Sequence, residues 1–289
     1  MDSQSGGNIY NIKSFEKDVE VIINDIGNYE ELIKAIIGKD AIINCAASTS
    51  HSKSMLQPRM NSNVNSIGVI NLLEAIRQNN RDASFVHLGT TTQLGQLHYR
   101  PADEFHPEFP TDIYSANKTV AEKYVLLYVK AYGINGCVIR LPNVYGPRAA
   151  IHSSDFTFNN YFIGLALQNK TLKVYKPGNQ LRNVIFVEDV VRSLFMAMIS
   201  KISYGETFFA VSDNHFTVSE IAQTTCDILG GSVELIEWPI DRKAIEVGDA
   251  IITNAKIKKV LRWKPKIELE EGLLKTGLYY QNCMENYIK

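Results

Sequence analysis

Along the first half of the chain, short runs of apolar and β-branched residues alternate with stretches of helical periodicity. VEVII (Val19 to Ile23), AIINCAA (Ala41 to Ala47), SFVHLG (Ser84 to Gly89) and GCVIRL (Gly136 to Leu141) read as strands. Between them, apolar positions recur every three to four residues over Tyr29 to Ile37, from about Asn65 to Gln78, and from about Tyr114 to Tyr132. Strands alternating with helices predict parallel strands joined by crossover helices, an α/β fold of the doubly wound, Rossmann-like kind. A polar loop rich in His, Pro and Glu, Gln93 to Thr111, interrupts the alternation before the longest helix.

After Pro147 the pattern loosens. It predicts a helix near Asn159 to Gln168, short strands near Leu172 to Val174 and Val184 to Phe186, a helix over Val187 to Ser200, and a strand over Thr207 to Val211. Thr217 followed by Glu220 has the spacing of a capping box and opens a helix to Leu229, and a last helix runs from about Leu269 to Tyr287. The expected organisation is a sheet domain over residues 1–150 and a smaller mixed α/β lobe over 151–289, with segments of each interleaved. No Gly/Ser linker separates them, which predicts one cooperative unit with a cleft between the lobes.

Composition narrows the function classes. The 289 residues are 45% hydrophobic and 21% charged with a net charge of −1, enough apolar content for a sizeable core. With 30 basic residues against 31 acidic ones there is no basic footprint for a phosphate backbone, so no nucleic-acid partner is expected. The longest apolar runs fall well short of the ~20 residues that span a bilayer, so no membrane partner is expected and the predicted location is the cytoplasm. Cys45, Cys137, Cys226 and Cys283 are widely spaced and read as buried free thiols. His51, His87, His98, His106, His152 and His215 lack ligand spacing, and no metal site is expected.

The most informative stretch is DIYSANKTVAEKY, in which Tyr114 and Lys118 are four residues apart and project from one helix face. A phenol ionises near pH 10, and an ammonium held within about 4–6 Å brings the phenolate toward working pH. Such a tyrosine can remove or return a hydroxyl proton while hydride moves to or from a nicotinamide. A chain this rich in Tyr and Lys carries the pair by chance, so its setting matters. The helix follows a strand ending in GTTTQLG and precedes one ending in RLPNVYGPR, and polar strand ends mark the ligand-binding rim of a parallel sheet.

Taken in order, IINDI, INCAA, NSIGVINLLEA, GTTTQLG, YSANK, RLPNVYGPR, NQLRNVIFVEDVV, VGD and RWKPKIELEEGL resemble the NAD-dependent epimerase/dehydratase family of the extended short-chain dehydrogenase/reductase superfamily, which acts on nucleotide sugars. The resemblance covers nearly the whole chain. It implies NAD as cofactor, Tyr114 as catalytic acid/base, Lys118 as the residue that tunes it and binds the nicotinamide ribose, and Thr90 as the partner of the reacting hydroxyl. It further implies cofactor contacts from Asp2, Asp25, Ile26, Ala46, Ala47, Asn65 and Pro142. Asn143 and Arg182 would meet the substrate diphosphate and Asp249 the nucleotide ribose. The helices from Asn65 and over Tyr114 to Tyr132 would form a homodimer seam.

The chain departs from the family pattern at several places. Members that eliminate water place Asp-Glu directly after the catalytic Thr, where Thr91 and Thr92 stand here, so a dehydratase or decarboxylase is not expected. Glu246 stands where an Arg commonly contacts the diphosphate, with Arg242 and Lys243 as nearby substitutes. Family members also begin with a strand, a GxxGxxG turn and a helix, whereas DSQSGGN resembles the segment after the second strand, with Asp2 as the ribose-binding acid. That N-terminal unit is expected to be missing, through an incomplete chain or misplaced start, a natural truncation, or a fold that replaces it. Poor NAD binding and low turnover by the 289-residue chain are expected to follow. The first reading is a nucleotide-sugar epimerase, at C4 of a UDP-sugar. The alternatives are a truncated, non-catalytic binder or dimer partner of that family, or another NAD-dependent dehydratase or reductase of sugar nucleotides.

Overall fold

The computed structural model describes residues 1–2 and 8–288, the side chain of Asp241 apart. Most of the DSQSGGN segment therefore lies outside the described residues. In chain order the elements begin with α1 (Tyr29–Ile36), β1 (Ala41–Asn44), α2 (His51–Leu56), α3 (Pro58–Ser62) and α4 (Gly68–Asn79). Next come β2 (Ser84–Thr90), α5 (Ile113–Tyr132), β3 (Asn135–Leu141), β4 (Asn143–Tyr145), α6 (Phe158–Ala166), β5 (Thr171–Tyr175), β6 (Leu181–Arg182) and β7 (Val184–Phe186). The remainder are α7 (Val187–Met198), β8 (Thr207–Phe209), β9 (Phe216–Thr217), α8 (Val218–Leu229), β10 (Ser232–Ile236), α9 (Ile240–Ala244), α10 (Ala255–Leu261) and α11 (Leu269–Gln281).

Two compact units share these elements. The first comprises Met1–Thr90, Asp112–Ile139 and Leu194–Thr207, and the second Thr91–Thr111, Arg140–Ser193 and Phe208–Lys289. The chain thus crosses from one unit to the other five times, and β3 and β8 each begin in the first unit and end in the second.

The main sheet has the order β1-β2-β3-β8, with β1 parallel to β2 and Asn44 opposite His87. α1 starts at Asn28, whose side chain accepts the Glu31 amide; Glu30 and Glu31 lie at its positive end. It buries Leu32 and Ile36 against Leu72, Leu73 and Ile76 of α4, Phe85 of β2 and Val125 of α5. Each such side chain contributes about 1.5–3 kcal/mol on leaving water. A π-turn, Asn63–Ile67, separates α3 from α4, so the helix expected from Asn65 begins as a wider coil. Just beyond it, a Cβ on Gly68 would stand 2.5 Å from Ile26 Cγ2, so only glycine lets α4 pack onto Ile26.

α5 is the longest element at 20 residues. Asp112 caps its start by accepting the Ser115 amide, and Gly133, at φ 67°, ends it in the left-handed conformation that glycine adopts without strain.

Two expectations from the sequence are corrected. Val19 to Ile23 does not form a strand; only Ile23 pairs, in an isolated parallel bridge to Asp2. A ladder needs consecutive partners, and among the described residues Asp2 alone provides one. Cys45 is exposed rather than buried, because β1 ends at Asn44 and the chain leaves the sheet there; Cys137, Cys226 and Cys283 are buried and free.

In the second unit, β5 pairs in parallel with β10, β4 in parallel with β7, and β6 antiparallel with β9. One core joins Phe162 and Ala166 of α6 with Leu172 and Val174 of β5 and Val218, Ala222 and Cys226 of α8. Another joins Leu94, Ala102, Phe209, Val211 and Ile252. Among the described residues, no helix is long and apolar enough to cross a membrane.

The capping box is formed at α8: the Thr217 hydroxyl accepts the Glu220 amide, and the Glu220 carboxylate accepts the Thr217 amide. Thr217→Ala is expected to lower the stability of the protein by ~1 kcal/mol, read as a shifted denaturation midpoint in urea at unchanged slope. An unmoved midpoint would show that the box contributes nothing to the folded state.

Candidate active site

Local sequence brings the first cluster together. Tyr114 and Lys118 lie one turn apart at the start of α5 and are 8% and 4% exposed. Thr90, the last residue of β2, is equally hidden, and its side chain shares a hydrogen bond with the Tyr114 hydroxyl. The Lys118 ammonium donates to the Leu88 carbonyl of the same strand. These three predicted residues therefore meet at the carboxyl end of β2, within the first unit.

The electrostatics differ from those the spacing alone suggested. Burial pushes the Tyr114 phenol up to about 12; the Thr90 hydrogen bond pulls it down and the Asp112 charge pushes it further up. Burial likewise brings the Lys118 ammonium down to about 8, against the pull of Cys45 and Glu122. Burial pushes the Cys45 thiol up against the Lys118 charge, burial and that charge together push His87 down, and Lys118 is absent from the leading influences on the phenol. Dehydration thus sets the direction of the Tyr114 shift, against the Thr90 hydrogen bond, which favours the phenolate.

Sequence reasoning passed over a second layer. His51, the first residue of α2, places Nδ1 2.7 Å from Asp112 Oδ2. Its ring meets the Tyr114 ring edge-on, with centroids 4.9 Å apart at 76°. The Ser54 hydroxyl donates to the His51 carbonyl at 2.6 Å and accepts the Tyr114 amide at 3.1 Å. The sequence signal was slight: a histidine opening one helix and an aspartate capping another, 61 residues apart.

The expected cofactor residues vary in what they do. The Asn65 side chain clasps the loop after β1, accepting the Ser48 amide at 3.0 Å and donating to the Ser48 carbonyl and to Asn61 Oδ1, both at 2.9 Å. Asn44 Oδ1 accepts the Ala46 amide at 3.1 Å; Ala46 is exposed and Ala47 half-buried. Asp25 Oδ1 accepts the Gly27 amide at 2.7 Å, and Ile26 belongs to the core beneath α4. Asp2 holds the bridge to Ile23 through its main chain. Pro142 lies in the second unit, half-buried between β3 and β4.

The expected substrate residues all lie in the second unit. Asn143 Nδ2 donates to the Asn183 carbonyl at 3.2 Å. Arg182 is ion-paired with Glu246, and its Nη1 donates to the carbonyls of Gly248 at 2.5 Å and Leu181 at 2.9 Å. Glu246 Oε1 also accepts the Gly248 amide at 3.0 Å. Asp249 accepts the Leu181 amide at 2.9 Å through Oδ1 and pairs with Arg100 at 3.0 Å through Oδ2. Arg242 and Lys243 stand on α9.

Comparison with known proteins bears on the family and the fold. Residues 3–208 match the NAD dependent epimerase/dehydratase family. The protein named "Putative UDP-glucose 4-epimerase" in Methanocaldococcus jannaschii is 29% identical over 286 residues, 98% of this chain and 90% of that one. A dTDP-glucose 4,6-dehydratase of Shigella flexneri is 28% identical over 279 residues, 86% of this chain and 74% of its own. The solved UDP-glucose 4-epimerase of Thermotoga maritima, with UDP-glucose, superposes with a TM-score of 0.87 at 24% identity, covering 98% of this chain and 90% of that one. With a Rossmann-like α/β fold and a buried Tyr-Lys-Thr cluster at a strand end, this chain belongs to the NAD dependent epimerase/dehydratase family.

Proposed function

We propose that the protein is a nucleotide-sugar 4-epimerase acting on a UDP-sugar. The observation that carries this reading is the hydrogen bond between the Tyr114 hydroxyl and the Thr90 side chain, one helical turn from the buried Lys118 ammonium. A phenol, a hydroxyl and an ammonium together at the end of β2 fit the nicotinamide-ribose end of NAD, the cofactor of the family. NAD, when bound, supplies a hydride acceptor and donor.

The chain's own residues supply the proton. As the phenolate, Tyr114 takes it from the 4-hydroxyl of the sugar while the carbonyl forms, and as the phenol it gives it back when the alcohol is restored. Thr90 orients the exchanging hydroxyl. Lys118, one turn along α5, is the residue we assign to the nicotinamide ribose. Burial keeps bulk water from competing for the proton. Thr91 and Thr92, in the turn that follows β2, offer neither the acid nor the base that removal of water requires, which favours epimerisation over dehydration.

In the second unit, Asn143, Arg182 and Asp249 are the residues we assign to the nucleotide diphosphate and ribose. The outer face of α5, with Val120, Leu127 and Tyr132 exposed, and Ile67 in the turn before α4 support a homodimer.

Incubating the protein and NAD with UDP-, GDP- and dTDP-sugars should yield the C4 epimer of one UDP-sugar; a 4-keto-6-deoxy product would move the assignment to dehydration. Tyr114→Phe should cut that turnover by roughly 10²–10⁴-fold with UDP affinity near the parent value, and an equal loss of affinity would count against an acid/base role. Glu246→Gln frees the Arg182 guanidinium and is expected to tighten UDP binding roughly tenfold by calorimetry; unchanged affinity would remove Arg182 from the diphosphate site. Light scattering at the mass of a monomer would dismiss the homodimer.

A further inference from the structure

The His51–Asp112 pair lies outside the machinery described above, yet it reaches Tyr114 through the His51 ring and through the Asp112 charge. We propose that His51 is a positioning residue of the proton-exchange site: ion-paired to Asp112 and edge-on to Tyr114, it neutralises the carboxylate nearest the phenol and so eases release of the phenol's proton. The role rests on the reading of Tyr114 as the proton-exchanging group.

The geometry has three links. Asp112 is fixed as the cap of α5: its Oδ1 accepts the Ser115 amide at 2.8 Å, and its Oδ2 accepts the Ser115 hydroxyl at 3.1 Å and faces His51 Nδ1 at 2.7 Å. The His51 ring stands 4.9 Å from the Tyr114 ring. Ser54 ties the two main chains, from the His51 carbonyl to the Tyr114 amide. Neither ring can shift without disturbing the other or the cap.

Exposure gives the pair its asymmetry. The Asp112 side chain is 3% exposed, whereas that of His51 is 35% exposed. The carboxylate is therefore a poorly screened charge next to the phenol, and the imidazole can exchange protons with water. The groups found against the His51 ring are Asp112 and Tyr114, both from the start of α5; α2 itself brings one other charged residue, Lys53. On Asp112 the charge that acts is that of His51, and on Tyr114 it is that of Asp112.

The consequence depends on pH. Protonated His51 makes the pair neutral overall, and the phenolate forms without a facing negative charge. Neutral His51 leaves the Asp112 charge uncompensated, and like-charge repulsion opposes the phenolate.

The test uses 3-fluorotyrosine at position 114, read by ¹⁹F NMR in the protein without substrate, with turnover followed separately. Over a pH series the fluorine resonance is expected to step as the imidazole changes charge, and His51→Gln should abolish the step while keeping a donor toward Asp112. In turnover, His51→Gln should be about tenfold slower than the parent at pH 6 and equal to it at pH 9. Asp112→Asn, which keeps an N-cap, should remove that difference and provides the same test should His51→Gln fold poorly. A fluorine resonance that shows no step in the parent, or the same step in His51→Gln, overturns the role of His51 whatever the activity. A step that depends on His51 in a protein that epimerises no nucleotide sugar keeps the coupling and overturns the epimerase reading.

Discussion

Dehydration of a phenol and an ammonium, one turn apart on α5, is the constraint on which the arrangement at the end of β2 depends. In water the two groups would ionise independently. Here burial holds Tyr114 protonated and brings Lys118 within reach of neutral pH. Each group keeps a hydrogen-bond partner on β2, the Thr90 side chain for the phenol and the Leu88 carbonyl for the ammonium. Without those partners the burial of both would be strongly destabilising. The end of β2 and the start of α5 are thereby locked in register, and the cap at Asp112 sets where that register begins.

The loop after β1 is held with similar economy. Asn65 spends its whole amide on Ser48 and Asn61, and the π-turn is what carries Asn65 at the entry to α4. A regular helix through this segment would rotate the residues that follow it relative to the Ile26 contact that Gly68 permits. The loop that carries Ala46 and Ala47 is thereby tied, through Ser48, to the turn before α4.

The second unit shows a different balance. Arg182, Glu246, Arg100 and Asp249 form two ion pairs joined through the main chain of Leu181 and Gly248. The acidic residue at position 246, which departs from the family pattern, is satisfied within the chain by the guanidinium that the family resemblance assigns to a phosphate. An anionic ligand there meets a carboxylate already seated on its cation, so that binding exchanges one partner for another instead of filling an empty donor fork.

Much of this was legible in the sequence where the relations are local. The positions of α1, α5 and α8, the caps at Thr217 and Glu220, and the shared face of Tyr114 and Lys118 follow from spacings of three and four residues, which helix geometry fixes without reference to the rest of the chain. The run over Val19 to Ile23 was misread because a strand exists only through its neighbours, and Cys45 because burial depends on where the sheet ends. The direction of the Tyr114 shift, the His51–Asp112 pair and the Glu246–Arg182 pair were likewise hidden. A helix carries its own hydrogen-bond partners within a few residues, whereas a buried charge takes its partner from whatever the folded chain brings alongside, here 61 and 64 residues away, and only the tertiary structure decides which.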